Sequence, residues 1–197
     1  MSQRLTLTKP VVLVGMMGAG KTSVGRLLAQ KLGLPFIDAD SEIEQAAQAT
    51  ISEIFERDGE AVFRSGERRV IARLLEGPLC VLATGGGAFM SDETRGKIHE
   101  RAISIWLRAE LDLLVRRVGR RRDRPLLNTG NPRDTLAKLL EVRSPIYGEA
   151  DITVESGDQA PEQVAEAVIA ALQAFLDKQS AKQAGGFTAP TAQDPSP

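Results

Sequence analysis

The feature that most constrains the fold is a glycine-rich segment near the N-terminus, where residues 15–22 read GMMGAGKT. The segment follows the short apolar run 11–14, VVLV, which is typical of a strand buried on both faces. It precedes a stretch with helical spacing of apolar residues that begins at Lys21. A strand, a glycine loop and a helix in this order form a cradle of backbone N–H groups for phosphate oxygens.

The loop also carries two side chains that suit nucleotide chemistry. Lys21 is expected to reach the β- and γ-phosphates of a nucleoside triphosphate, and the Thr22 hydroxyl to ligate Mg²⁺. A glycine-rich turn without a ligand is the alternative interpretation, and the flanking strand and helix disfavour it. We therefore expect ATP or GTP with Mg²⁺, held by Gly15, Gly18, Ala19, Gly20, Lys21, Thr22 and Ser23.

Strands and helices alternate along the rest of the chain. Further strands are predicted at 36–37, 79–83, 103–107 and 152–154, and helices lie between them. Capping-box spacing at Ser41 with Glu44, and at Thr50 with Glu53, predicts the starts of two short helices. Because strands separated by helices form mostly parallel sheets, we expect an α/β fold with five parallel strands between two helical layers.

Length and composition fit one soluble domain. The chain has 197 residues, of which 42% are hydrophobic and 26% charged, so it can bury a core. One cysteine cannot form an internal disulfide, and no apolar run is long enough to span a bilayer or to serve as a secretion signal. We expect a cytoplasmic protein with a single domain at 1–177 and a disordered tail at 178–197, where apolar periodicity ends.

Two polar or flexible clusters follow predicted strands. Asp38 and Asp40 lie where the second strand ends, at the sheet edge that collects ligands in open α/β folds. Asp38 is expected nearer Mg²⁺ and Asp40 beside an acceptor hydroxyl; helix capping is the alternative role, which we assign to Ser41. The triplet Gly85, Gly86 and Gly87 follows the third strand, and a close approach to a small substrate is favoured there over a plain flexible turn.

Arginine is concentrated in one segment. Lys and Arg total 25 against 26 Asp and Glu, and six arginines lie between Arg116 and Arg124. Phosphoryl transfer requires positive charge near the γ-phosphoryl group and exclusion of water, so a lid at about 119–131 is one interpretation. A nucleic-acid patch is the other, but only 4% of residues are aromatic, too few for interleaved base stacking.

Six motifs, in this order, resemble those of the shikimate kinases over about 9–176. They are GMMGAGKTSVGRLLA at 15–29, FIDAD at 36–40, FRSGE at 63–67, TGGGA at 84–88, RPLL at 124–127 and RSPIY at 143–147. The phosphate loop alone marks a very large superfamily, whereas the combination is specific. The resemblance implies a nucleoside-monophosphate-kinase-like fold and transfer of the γ-phosphoryl group of ATP to the 3-hydroxyl of shikimate, with Mg²⁺.

The resemblance also implies residue roles. Asp40 would be the candidate base, and Arg64 and Arg143 would bind the substrate carboxylate. Arg124 in the lid would meet phosphate and substrate, and Arg117 would lie against the nucleotide base. Gly85, Gly86 and Gly87 would approach the substrate, Thr22 and Asp38 would hold Mg²⁺, and the helical segment 41–76 would enclose the substrate.

Other functions remain open at the level of sequence. A gluconate kinase would also need arginines for a carboxylate, and a nucleoside-monophosphate kinase or a non-catalytic ATP-binding module would share the phosphate loop. A non-catalytic module would not need Asp40 in addition to Asp38. The favoured interpretation is a monomer with ATP and shikimate as its partners, binding neither nucleic acid nor membrane.

Overall fold

The computed structural model describes residues 5–119 and 131–185. Its centre is a sheet of five parallel strands in the order β2-β3-β1-β4-β5. The strands are β1 Val11–Val14, β2 Phe36–Asp38, β3 Val81–Ala83, β4 Ile103–Arg108 and β5 Ile152–Glu155. All four residues of β1 are 0% exposed, so the central strand is covered on both faces. The predicted α/β fold with five parallel strands is confirmed.

Seven helices surround the sheet in the described part of the chain. Helix α1 packs against α7, α3 against α4, and α5 against α6. A short 3-10 turn, Ala88–Met90, follows the glycine triplet. The helices are α1 Lys21–Leu32, α2 Ala39–Ala47, α3 Ile51–Leu75, α4 Asp92–Arg101, α5 Leu111–Val118, α6 Pro132–Tyr147 and α7 Pro161–Gly185.

The strand order determines where a ligand can bind. Strand β1 lies between β3 and β4, so the connections leave β1 and β3 toward opposite sides of the sheet. Such a switch point opens a crevice at the carboxyl ends of the strands. The phosphate loop and the glycine triplet follow strands that end at this edge, and Asp38 is the last residue of β2 there.

Helices α2 and α3 form a small unit beside the sheet. A second apolar cluster of Ile43, Ile54, Phe63 and Val70 lies apart from the main core. The capping box at Thr50 is present as predicted. Helix α3 bends at Gly59, whose φ of 82° and ψ of 169° are not helical, so the chain changes direction between Ile51 and Arg64.

The predicted capping role of Ser41 is wrong. Helix α2 begins at Ala39, directly after β2, and its N-cap is Asp38, whose side chain accepts a hydrogen bond from the Asp40 N–H. Because no loop separates β2 from α2, Ser41 lies inside the helix. The capping box there matches in sequence spacing only.

The predicted start of the tail also needs correction. Helix α7 continues to Gly185, beyond the expected end of structure at Lys178. Residues 178–184 read KQSAKQA, a segment rich in Lys, Gln and Ala, which favour helix without an apolar face to bury. Apolar periodicity ends there although helix propensity does not. The lid at about 119–131, including Arg124, and the last twelve positions lie almost wholly outside the described residues.

Candidate functional site

Two adjoining pockets occupy the carboxyl edge of the sheet. The larger has a volume of about 400 Å³ and is lined by the phosphate loop, Asp38, Arg117 and the segment after β5. The smaller has a volume of about 110 Å³ and is lined by Arg64, Arg143 and the aromatic residues of α3. Met17, Asp40, Gly85 and Gly86 line both pockets. The site therefore has two compartments that meet at a carboxylate.

The phosphate loop has the conformation that its glycines permit. Gly20 is the N-cap of α1 with a φ of 94°, a left-handed conformation that favours glycine. The Lys21 ammonium donates to the carbonyl oxygens of Gly15 at 2.7 Å and Met16 at 2.9 Å. The Lys21 ammonium is therefore held within the loop, at the positive N-terminal end of α1. A cationic side chain at a helix N-terminus is an arrangement that binds anions.

Asp38 connects the loop to α2. Its Oδ2 accepts a hydrogen bond from the Thr22 hydroxyl at 3.0 Å, and its Oδ1 accepts from the Asp40 N–H at 3.1 Å. Capping and a functional role are the two alternatives for this residue. In the structure, one oxygen caps the helix while the other lies beside Thr22, where the predicted pair of Mg²⁺ ligands meets.

Asp40 lies at the boundary of the two pockets and has an unusual pKa. Burial, followed by the negative charge of Asp38, raises the pKa of Asp40 to about 6, and Lys21 opposes the shift. A Cβ atom on Gly85 would lie 2.7 Å from Asp40 Oδ1 and 3.0 Å from Glu67 Oε1. Two carboxylates therefore converge on position 85, and a side chain there would displace them.

The two predicted substrate arginines are brought together in the smaller pocket. Arg64 Nη1 donates to Glu67 Oε2 at 2.8 Å, and a more exposed contact joins Arg64 to Glu60 at 3.3 Å. A Cβ on Gly87 would lie 2.6 to 2.8 Å from the two terminal guanidinium nitrogens and the guanidinium carbon of Arg64, so the guanidinium lies close against the glycine backbone. Arg143 Nη1 donates to the Gly86 carbonyl oxygen at 3.2 Å.

Arg117, which we predict to lie against the nucleotide base, lines the larger pocket. Its Nη2 donates to the Gly157 carbonyl oxygen at 2.7 Å, which fixes it against the segment after β5. The remaining predicted nucleotide-binding residues divide into two groups. Gly18, Gly20, Lys21, Thr22 and Ser23 line this pocket, whereas Gly15 and Ala19 are buried within the loop.

Three residues of the site were not predicted from the sequence. Glu67 is 3% exposed and orients Arg64; its position three residues after Arg64 in a predicted helix is the signal that could have indicated it. Tyr147 donates to the Gly86 carbonyl oxygen. Ser156 donates to the Ala19 carbonyl oxygen at 2.7 Å, a contact that no sequence spacing indicates because it depends on the β4-β5 pairing.

A family model and a search for similar proteins point to the same family. The family model for shikimate kinase matches residues 17–173. A shikimate kinase of Rhodopseudomonas palustris is 60% identical over 168 residues, which are 85% of this chain and 83% of that protein.

Solved structures extend the comparison. A shikimate kinase from Acinetobacter baumannii in complex with shikimate matches with a TM-score of 0.82 and 41% identity, over 87% of this chain and 94% of that one. A gluconokinase from Sinorhizobium meliloti 1021 matches with a TM-score of 0.62 and 19% identity, over 88% of this chain and 97% of that one. At that identity the gluconokinase shares the fold alone.

Proposed function

The chain belongs to the shikimate kinase family, and we propose that its two pockets hold the two substrates of the phosphoryl transfer from ATP to a hydroxyl of shikimate. The larger pocket, with the phosphate loop, receives ATP. The smaller pocket, with two arginines, receives the acid. The observation that carries this division is the position of Asp40, which lines both pockets at their boundary.

The larger pocket suits a nucleotide with Mg²⁺. The Thr22 hydroxyl and the Asp38 carboxylate lie 3.0 Å apart and offer the hard oxygen ligands that Mg²⁺ prefers. When bound there, Mg²⁺ would offset the negative charge of the phosphates. Lys21 binds the β- and γ-phosphates, and Arg117 lies against the rest of the nucleotide. Arg124 keeps its expected role at the phosphates as part of this proposal.

The smaller pocket suits a hydroxylated carboxylic acid. The guanidinium groups of Arg64 and Arg143 can donate several hydrogen bonds to one carboxylate. With the carboxylate bound there, the acceptor hydroxyl lies toward Asp40. The hydroxyl oxygen bonds to the γ-phosphorus of ATP, the bond to the β–γ bridging oxygen breaks to release ADP, and the hydroxyl proton passes to the Asp40 carboxylate. Lys21 stabilises the negative charge that develops on the phosphates.

Three further expectations belong to this proposal. No helix in the described segments 5–119 and 131–185 is long and apolar enough to cross a membrane. The enzyme is proposed to act as a monomer and in the cytoplasm. It is also proposed to bind no nucleic acid. Two arginines of the cluster support this, since Arg116 pairs with Asp158 at 2.6 Å and Arg117 faces the larger pocket.

The test is an ADP-release assay with ATP and Mg²⁺ across shikimate, quinate, gluconate and nucleoside monophosphates. We expect turnover with shikimate, and turnover with gluconate instead would contradict the proposal.

Arg64→Lys and Arg143→Lys should each raise the KM for shikimate by about 10- to 100-fold, because each loses a planar pair of charge-assisted hydrogen bonds. Arg116→Lys, an exposed arginine beside the site, is the matched control and should leave KM unchanged.

A further inference from the structure

Tyr147 places a phenol hydroxyl behind the glycine triplet. It is the last residue of α6, is 1% exposed, and donates a hydrogen bond to the Gly86 carbonyl oxygen. Its ring stacks near those of Phe89 and Trp106, with centroid distances of 6.5 and 5.8 Å. Packing on both sides fixes the ring, so the hydroxyl is held in one place under the triplet.

The same carbonyl oxygen accepts a second hydrogen bond from α6. Arg143 Nη1 lies 3.2 Å from it, and Arg143 is one helical turn before Tyr147. Residues four apart lie on the same face of a helix, so both donors approach Gly86 from α6. The carbonyl is therefore the point at which the buried helix face, the glycine triplet and the arginine of the smaller pocket meet.

The glycine triplet lies in a turn that is closed by the Ala88 N–H, which donates to the Gly85 carbonyl oxygen at 3.1 Å, and the Gly86–Gly87 peptide is at the centre of this turn. Three consecutive glycines have wide backbone freedom, and a peptide between two of them can rotate unless a partner holds it. A peptide group is planar and trans, so its C=O and N–H point in opposite directions. Holding the Gly86 carbonyl toward α6 therefore turns the Gly87 N–H away from α6.

We propose that Tyr147 is a positioning residue for the acid substrate, whose hydroxyl fixes the Gly86 carbonyl and, through it, both the Arg143 guanidinium and the direction of the Gly87 N–H. This inference rests on the proposed binding of the carboxylate by Arg143. Tyr147 acts from behind the loop and lines neither pocket. Its hydroxyl also lies 3.9 Å from Met16 Sδ, a weaker acceptor, so the hydrogen bond to the Gly86 carbonyl oxygen carries the inferred effect on the substrate.

The environment of the phenol keeps it a donor. Burial raises the pKa of Tyr147 to about 12, so the hydroxyl keeps its proton throughout the range in which proteins are stable. Gly86 also packs close to the phosphate loop, since a Cβ there would lie 3.4 Å from the Met17 nitrogen and 3.5 Å from the Gly15 oxygen. The fixed peptide thus lies between the two substrate pockets.

Tyr147→Phe is the direct test, because it removes the hydroxyl and keeps the ring packing. We expect the KM for shikimate to rise about tenfold, as follows from loss of one orienting hydrogen bond. The value of kcat and the KM for ATP should stay within about twofold of wild type. Tyr147→Met, which also lacks a hydroxyl, should raise the KM for shikimate at least as much and covers the case in which Tyr147→Phe folds poorly.

Ser104→Ala is the matched control for loss of a buried hydroxyl. Ser104 is 0% exposed, hydrogen-bonds Asp151 at 2.6 Å and lines neither pocket. It should lower the melting temperature and leave KM unchanged. If Tyr147→Phe changes only the melting temperature, like this control, or raises the KM for ATP equally, the positioning role is wrong.

A double variant separates this inference from the proposed function. If Tyr147 acts through Gly86 on Arg143, then Tyr147→Phe with Arg143→Lys should raise the KM for shikimate by less than the product of the two single effects. If the KM of the double variant rises by the full product of the two single effects, the inference is wrong, while carboxylate binding by Arg143 is unaffected. No change of KM in Arg143→Lys alone would instead contradict the proposed function.

Discussion

The position of Asp40 makes its negative charge unfavourable for stability but favourable for accepting a proton. It lies in a partly buried position beside Asp38 and Glu67, and its pKa is raised to about 6. An unpaired negative charge at such a place destabilises the folded chain, but a carboxylate of this basicity accepts a proton more readily than an exposed one. Residues that conflict with stability in this way are typical of functional sites.

Asp40→Asn should therefore separate stability from activity. We expect the free energy of unfolding to rise by about 1–2 kcal/mol, since a raised pKa measures the cost of the charge, while kcat falls by about 10²- to 10⁴-fold with loss of the proton acceptor. Urea unfolding and steady-state kinetics measure the two effects. Asp177→Asn on the exposed end of α7 serves as a control, and unchanged turnover in Asp40→Asn would exclude a role in proton transfer.

The raised pKa also predicts how the enzyme responds to pH. The value of kcat/KM should fall as the pH drops through about 6, because protonated Asp40 no longer accepts the hydroxyl proton. Stability should move the other way: the folded state binds the proton more tightly than the unfolded state, so the contribution of Asp40 weakens as the pH rises from about 4 to 6. The unfolding free energies of wild type and Asp40→Asn, measured in urea, should differ least below about pH 4, diverge between about pH 4 and 6, and stay apart by a constant amount above that.

At the scale of elements, the bend of α3 directs Arg64 toward the pocket. The bend depends on Gly59, with a φ of 82° and ψ of 169°, a region that is accessible essentially to glycine alone. The first half of α3 packs on α2, and the second half carries Arg64 and Glu67. A single backbone conformation therefore determines how the arginine faces the glycine triplet.

Gly59→Ala should destabilise the protein by about 1–3 kcal/mol and raise the KM for shikimate, because the new side chain disfavours the bend. Gly66→Ala is the matched control in the same helix. Gly66 has no positive φ, and a Cβ added there would meet nothing within 4 Å, so alanine should be neutral or stabilise by about 0.5–1 kcal/mol. Equal effects of the two substitutions on urea unfolding would show that the bend is not under strain.

At the scale of the whole molecule, the C-terminal helix divides into a packed part and an exposed part. Leu172 is buried and Phe175 and Leu176 pack on the main core, whereas residues 177–181 are exposed. Helix length alone therefore does not show how much of α7 stabilises the domain. The boundary between the packed and the exposed part of α7 lies near Asp177.

Deletion of residues 178–197 should leave the melting temperature within about 2 °C and kcat unchanged, because residues 178–181 are exposed and bury little apolar surface. Truncation after Ala171 is the comparison and should cost several kcal/mol, since it removes Leu172, Phe175 and Leu176 from the core. Thermal unfolding and the ADP-release assay measure both. A large loss in the shorter deletion would show that the exposed end has a partner.

The sequence alone determined the features that depend on interactions between residues close together along the chain. The phosphate loop, the strand-helix alternation and the Thr50 capping box depend on neighbouring residues, and the resemblance of six motifs identified the family. The start of α2 at Ala39, with Asp38 as its N-cap, was not predictable from capping spacing alone. Two candidate caps, Asp38 and Ser41, lie three residues apart, and only the direct passage from β2 into the helix decides between them.

The tertiary structure decided which distant residues meet. Arg64 comes from α3, Arg143 from α6 and the triplet from the end of β3, and they converge because the sheet order places β3 next to β1 at the switch point. The raised pKa of Asp40, the close approach of Arg64 to Gly87 and the hydrogen bond from Tyr147 to Gly86 all arise from that convergence. Spacing along a chain specifies none of them, because burial and contact energies depend on what the fold brings together.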